Sequence, residues 1–589
     1  MNNILEVKLR YENEGNKAGG GQRNLRVNSE VTVQKIDGLI ENLRAVLRYY
    51  EKVPKMMNGI LIDVHYNDII AKSNRIREIL KPIGKETNDA VVGARFSNAP
   101  AGQENHIITY YVDRDIIQSS IDKLNIVKQF LSDRLNDKAT YKNFNEPANV
   151  LSYDGYYYRG NKFKKNPIRD VIVDCSVIDS FSYPNVTAEN YKETFLVTFF
   201  QTEKSLSEIL EKLKVDSVKY PYSFYGRDTI SVTWQLYQLL LEEVPYMISM
   251  ISSDLSKVVF DDREKSIDEI KPVIPDPTVE PVIGVIDNLF DEGVYFNGWV
   301  DNRDYLDEFE QINKENADRN HGTAVTSIIV DGPRLNPWLD DSCGRFRVRH
   351  FGVCENRISV SRLIKKIKNI VDSNPDIHVW NLSLGTDDEV SRNFISYDAS
   401  ILDELQCRKN VIFVISGTND NRTEKKGDLR VGSPADSLNG VVVNSVKRDG
   451  NPASYSRKGN VLSFFNKPDV SYYGGDYEEK ERIFAYTSRG KEGVYGTSFA
   501  APWISRKLCY LIDVMGLSRE VAKALVIDAA AGWDYKISTY KRKDILGYGV
   551  VPKRIEDILN TSDDEIKFII TGTTEDYETY NYTLPVPIV

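Results

Sequence analysis

Cysteine, histidine, methionine and tryptophan are scarce in this 589-residue chain, at five, five, six and six residues. The five cysteines (Cys175, Cys343, Cys354, Cys407 and Cys509) are odd in number and form no CxxC pair. They read as reduced, mostly buried thiols and not as a disulfide framework. The histidines (His65, His106, His321, His350 and His378) show no ligand spacing such as HExxH, so no metal centre is expected and the chemistry is expected to need no cofactor. No stretch approaches 18 apolar residues, the length a membrane helix would need. The opening MNNILEVKLRYENEGNK has no basic stretch leading into an apolar core, so a secretory signal is not expected and a cytoplasmic location is. Positive charge is not in excess: 76 Lys and Arg face 86 Asp and Glu, a formal net charge of -10. Net charge therefore favours neither nucleic acid nor an anionic membrane as a partner.

What is present is globular. Hydrophobic residues make up 41% and charged residues 28%, which excludes global disorder, and the length suits roughly three to five domains. Residues 13–24 (NEGNKAGGGQRN) read as a flexible loop, because no GKS or GKT follows the glycines. Ile36, Leu39, Ile40, Leu43, Val46 and Leu47 recur at helical spacing and predict a helix near 33–50. A second is predicted near 115–134, a strand at 194–200, and helices at 204–214 and 235–250. These apolar faces suit a domain core or a partner, and periodicity does not separate the two.

Residues 271–281 (KPVIPDPTVEP) hold four prolines and predict an extended, exposed linker. Beyond it, continuous apolar runs of strand length appear at 282–286, 346–354, 377–384, 411–416 and 441–446, with helical patterns at 358–371 and 395–408. That alternation predicts an α/β fold, a doubly wound, mostly parallel sheet with helices on both faces. Functional residues in such sheets gather at the carboxyl ends of the strands. From 556 onward, 566–571 and 578–583 read as strands. The expected organisation is a mixed α/β amino-terminal region (1–270), the linker (271–281), the parallel-sheet domain (282–555) and a β-rich extension (556–589).

Three residues carry candidate chemistry. Asp287 ends the run PVIGVID, which puts a carboxylate at the sheet's carboxyl edge. His321 opens HGTAVTSIIV, read as a helix start. Ser498 lies in YGTSFAAPW, where Gly496 permits a sharp turn and a helix follows, with Pro502 tolerated in a first turn. A serine there presents its hydroxyl outward and aims its own N–H where an oxyanion could sit.

In this order and these contexts, Asp287, His321 and Ser498 resemble the catalytic triad of the subtilisin-like serine peptidases, the subtilases. The resemblance runs over roughly 276–555. It includes NLSLG (381–385), SGTND (416–420), SPADSLNGVVVNSV (433–446), KPDV (467–470) and GYGVV (547–551). It implies a serine endopeptidase in which His321 is the general base and Asp287 orients it. Asn419 and the Ser498 N–H would form the oxyanion hole. Ser383, Leu384, Gly385, Ser416, Gly417 and Thr418 would bind a protein or peptide substrate. Many subtilases bind calcium, but the charged loops 420–430 and 476–482 read as solvated surface and identify no site. Besides SYYGG (471–475) after KPDV, where an Ala-Pro-Gly turn is usual, two departures from the family pattern stand out. Asn288 and Leu289 follow the aspartate, where a small hydroxyl residue and glycine are usual. Gly417-Thr418 precedes Asn419, where Ala-Gly is usual, so a Cβ and a hydroxyl enter a site that normally has neither.

The layout and stretches such as GILIDVHYNDIIAKSNRIREIL (59–80) also resemble a narrower group, bacterial subtilases encoded beside an AAA-type ATPase. That resemblance implies an ATPase partner, an amino-terminal region that restrains the peptidase, and a role in anti-phage defence or as a toxin–antitoxin-like effector. The alternatives are a housekeeping cytosolic peptidase and a catalytically silent subtilase fold used for binding.

Overall fold

The computed structural model describes residues 2–3, 5–6, 23–52, 57–97, 104–145, 156–184, 194–200, 202–224, 228–244, 247–251, 272–306, 319–354, 360–422, 428–462, 465–530, 543–561, 563 and 565–571. The chain divides into two compact units, residues 17–252 and residues 1–16 together with 253–589. The glycine-rich stretch at 13–22 and the expected strand at 578–583 lie outside the described residues.

The 17–252 unit carries two antiparallel four-stranded sheets. The first has the order 178–182, 59–66, 106–113, 91–96, and the second 222–224, 229–233, 194–199, 247–251. The helix Val33–Lys52 buries Ile36, Leu39, Ile40, Leu43 and Val46, and Arg114–Leu135 buries Ile117, Ile121, Leu124, Val127 and Leu131. Both faces join this unit's own core, so the core reading of their periodicity holds. The expected helix at 235–250 is corrected. It runs only over Trp234–Glu243, and Met247–Ile251 is a strand paired with Thr194–Phe199. Pro245 accounts for the break, since it lacks the N–H a helix interior needs and disfavours helical backbone just before it.

The other unit is built on seven parallel strands: β1 (Val282–Asn288), β2 (Val300–Asp304), β3 (Arg347–Cys354), β4 (Val379–Leu382), β5 (Ile412–Ser416), β6 (Val441–Val446) and β7 (Val470–Tyr473). Their order is β2-β3-β1-β4-β5-β6-β7. Every neighbouring pair is parallel. Its longer helices among the described residues are α1 (Asn320–Leu335), α2 (Val360–Ser373), α3 (Tyr397–Arg408), α4 (Thr497–Cys509) and α5 (Arg519–Ala530). β4, β5 and β6 are buried at every position, as strands covered on both faces should be. α4 is likewise buried along its whole length.

The proline-rich segment has no regular secondary structure and leaves Val273 and Val279 about 90% exposed, yet it is tied down. Trp299 donates to Pro275 O at 2.8 Å, and Arg347 donates through its backbone to Pro281 O and through Nε to Glu280 O. At the far end, Asn2–Asn3 pairs with Asn560–Thr561 and Leu5–Glu6 with Phe568–Ile569. Residues 2–3 and 5–6 therefore supply strand partners to described residues of the 560–569 stretch.

Candidate active site

Asp287 is fully buried near the carboxyl end of β1. Its Oδ1 accepts the Asn288 N–H at 2.7 Å and the His321 Nδ1–H at 2.5 Å. A carboxylate only accepts, so Nδ1 carries a proton and donates it to Asp287. His321 is the second residue of α1, and the helix reaches the strand end because of Gly322. A Cβ on Gly322 would stand 2.6 Å from Asn288 O and 2.8 Å from Leu289 O. Only glycine lets α1 approach so closely.

His350 lies beneath this pair and is also buried. Its Nε2–H donates to Asn288 O at 2.8 Å, and its Nδ1 accepts from Thr326 Oγ1 at 3.0 Å. Burial lowers its pKa, so the ring is held neutral. The unusual Leu289 is accommodated by Gly352 of β3, where a Cβ would fall 2.5 Å from Leu289 Cδ2. Asn288 keeps its backbone bond to Asp287, and its side-chain oxygen accepts from Cys354 Sγ.

Ser498 is the second residue of α4, so its N–H is among those the helix itself leaves without an acceptor. Gly496 sets the turn with a φ of +148°, a conformation that favours glycine. Pro502 lies beyond the first turn expected for it. Lacking an N–H, it frees the Ser498 carbonyl four residues back. Ser383, just past β4, donates its hydroxyl to that carbonyl at 3.2 Å, and the Ser498 hydroxyl donates to Ser383 O at 3.3 Å. The His321 ring lies 5.7 Å, centroid to centroid, from Phe499, the next residue.

Asn419 follows β5. Its Oδ1 accepts from Thr497 N at 3.1 Å and Thr497 Oγ1 at 2.9 Å. Two donors on one side fix the amide and turn Nδ2 the other way, to within 3.3 Å of where a Cβ on Gly496 would lie. The buried Arg457 donates to Asn419 O at 2.9 Å and to Asp387 O at 3.0 Å, joining the loops after β4 and β5.

Of the residues expected to bind substrate, Ser383 and Gly385 lie on the loop after β4, and Gly417 and Thr418 on the loop after β5. Leu384 lies on the first of these loops, and Ser416 is the last residue of β5. Thr497, Arg457 and His350 were not singled out in the sequence. Thr497 lies in YGTSFAAPW, but its role as a clasp depends on Asn419, 78 residues away. Among the described residues no cluster of three or more His, Cys, Asp or Glu is arranged to hold a metal ion. No helix among them is long and apolar enough to cross a membrane.

A parallel α/β sheet with an Asp–His pair and a helix-borne serine at its strand edge belongs to the nucleophile–base class of sites. Residues 279–552 match the model of the subtilase family, peptidase S8, and that stretch is a subtilase domain. Among solved structures, the chain is similar to the epidermin leader peptide processing serine protease of Staphylococcus aureus, at 16% identity and a TM-score of 0.41, covering 64% of this chain and 99% of that one. It is also similar to the prenylagaramide maturation protease PagA (19%, TM-score 0.36, 47% of this chain and 92% of that one). The patellamide maturation protease PatA is a further neighbour (18%, TM-score 0.36, 47% and 95%). No curated protein matches the chain.

Proposed function

We infer that the chain is a serine endopeptidase that cleaves peptide bonds through an acyl-enzyme on Ser498. The observation that carries this reading is the buried 2.5 Å bond from His321 Nδ1 to Asp287, at the same strand edge as Ser498. The Ser498 proton passes to His321 Nε2 as Oγ bonds to the substrate carbonyl carbon. The carbonyl π pair becomes the oxyanion, met by the Ser498 N–H and Asn419 Nδ2. Collapse breaks the C–N bond, and His321 gives its proton to the leaving amine. Water, deprotonated by His321, then releases the acyl group by the same route. Asp287 holds the imidazole tautomer throughout and stabilises the imidazolium. The chemistry of these residues calls for no cofactor.

One observation favours a second reading, a catalytically silent binding domain: the Ser498 hydroxyl donates to Ser383 O. Labelling by an alkyl fluorophosphonate separates the two. The endopeptidase labels in wild type and not in Ser498→Ala, whereas absence of label in both leaves the silent reading.

The amino-terminal unit is proposed to restrain the peptidase in the cytoplasm, with an AAA-type ATPase as partner in anti-phage defence or as a toxin-like effector. The support is the chain's layout and the toxicity of an unrestrained cytosolic endopeptidase. Replacing residues 17–252 with a flexible linker is expected to raise turnover, and unchanged turnover rejects the restraint. New protein termini in cells on phage challenge, present with wild type and absent with Ser498→Ala, would support the defence role. Identical termini in the two strains would leave a housekeeping peptidase or none.

A further inference from the structure

Thr418 has a φ of +65°, a region that β-branched side chains avoid. Glycine would sit there freely, so something local holds a threonine in place. Its Oγ1 donates to Gly417 O at 2.6 Å and accepts the Gly432 N–H at 2.8 Å, which fixes the side-chain rotamer. Its methyl is thereby aimed at Gly385 across the gap between the loops after β4 and β5. A Cβ on Gly385 would stand 2.5 Å from Thr418 Cγ2, so the methyl and the Gly385 backbone are already in contact. Behind them, Thr386 and Ser433 exchange bonds, Thr386 N to Ser433 O at 2.8 Å and Ser433 N to Thr386 Oγ1 at 3.0 Å. Thr418 is only 7% exposed.

This gap is where the residue on the acyl side of the cut bond must lie. Its carbonyl carbon bonds to Ser498 Oγ, which is 3.3 Å from Ser383 O, and its oxygen faces Asn419, the residue after Thr418. Its Cα then sits over the crevice between the carboxyl ends of β4 and β5, and its side chain points into it. We propose that Thr418 closes this crevice against Gly385 and restricts the peptidase to substrates with glycine or alanine on the acyl side of the cut bond. This rests on the peptidase reading of Ser498. Thr418 acts as a specificity residue, and the departure from glycine is what sets the preference.

The test uses the full-length chain and peptidyl diphenyl phosphonates that differ only in carrying a Gly, Ala or Phe side chain at the reacting residue. An alkyl fluorophosphonate serves as the side-chain-independent control, and labelling of Ser498 is followed by mass spectrometry. Wild type is expected to react with the Gly or Ala probe at least about 100-fold faster than with the Phe probe, the discrimination a pocket wall can supply. Thr418→Ser, which keeps the hydroxyl and drops the methyl, and Thr418→Gly should each bring that ratio below about tenfold. Thr418→Val keeps methyls but loses the two bonds that aim one of them at Gly385, so its ratio should fall between those of wild type and Thr418→Gly. A Thr418→Ser ratio as high as that of wild type would show that the hydroxyl bonds and not the methyl set the preference, and overturns the proposal. So does a Phe probe that labels wild type as fast as the Ala probe, or a ratio equal in all four proteins. If the fluorophosphonate labels while the ratio is flat, only the specificity inference falls. If Ser498 takes no label from any probe, the peptidase reading falls with it.

Discussion

The loops after β1 and β5 both depart from the subtilase pattern, and the fold absorbs the two departures differently. After β1, Leu289 takes the place of a usual glycine, and Gly352 on the neighbouring strand makes the room. The backbone there is ordinary, and His350 holds Asn288 O from below. After β5, Thr418 takes the place of a glycine and nothing compensates in the backbone, which keeps a positive φ. The compensation comes from the side chain, through its bonds to Gly417 and Gly432. A departure relieved by a neighbour's missing Cβ asks for no function. One held in a disfavoured conformation by its own hydrogen bonds does.

The largest expected effect falls on the residues both loops serve. Ser498→Ala and His321→Ala should each lower kcat by about 10⁶, a magnitude borrowed from subtilisin and read by peptide turnover. Retention of more than a small fraction of activity in either would make the comparison of the loops irrelevant to catalysis. On the β5 side, Asn419→Ala should lower kcat by about 10²–10³ with little change in KM, again on a subtilisin precedent. On the β1 side, Gly322→Ala should destabilise the domain by about 1–3 kcal/mol, because the new Cβ meets two backbone carbonyls that cannot both yield. Denaturant unfolding measures this, and a neutral result would mean that α1 is not seated as tightly as its contacts imply. Thr497→Val removes one of the two donors that orient Asn419, and its expected cost is about tenfold in kcat, one hydrogen bond's worth.

Acidity separates the two sides most gently. Beneath the β1 loop, His350 is held neutral by burial. Unfolding lets it take a proton below its ordinary pKa of about 6.5, so stability falls as pH drops below that value. On the β5 side, Ser433 donates to Asp398, and Ser396 donates its N–H and its hydroxyl to Asp436. Burial raises both carboxyl pKa values, that of Asp436 to about 7 with Asp398 repelling its charge. The folded chain therefore holds a proton that the unfolded chain has released, and stability falls as pH rises from about 4 to about 7. Each group alters the slope of unfolding free energy by at most about 1.4 kcal/mol per pH unit. Below about pH 6.5 the two contributions oppose each other, so Asp436→Asn should make stability rise more steeply with pH and His350→Gln should make it rise less steeply. A variant that leaves the slope of unfolding free energy against pH unchanged would show that its group is not the one titrating.

Local texture carried much of this. The continuous apolar strands, the intervening helices and the settings of Asp287, His321 and Ser498 are properties of short stretches, so they are legible in the chain. The helix predicted over 235–250 failed because its apolar periodicity ran past Pro245 into residues that belong to a sheet partner. The short strands near residue 3 and residue 568 were legible only in part, since each needs a partner from the other end of the chain. The roles of Arg457, His350 and Thr497 are not legible in the sequence because they consist of bonds to residues far away in it.

By itself the sequence determined which residue types stand at the strand ends and helix starts, because steric preference and hydrophobic period act over a few residues. The tertiary structure alone decided that one amide oxygen is clasped by Thr497 and that one methyl meets a glycine across a crevice. Such contacts depend on distances between segments, and no local preference specifies them.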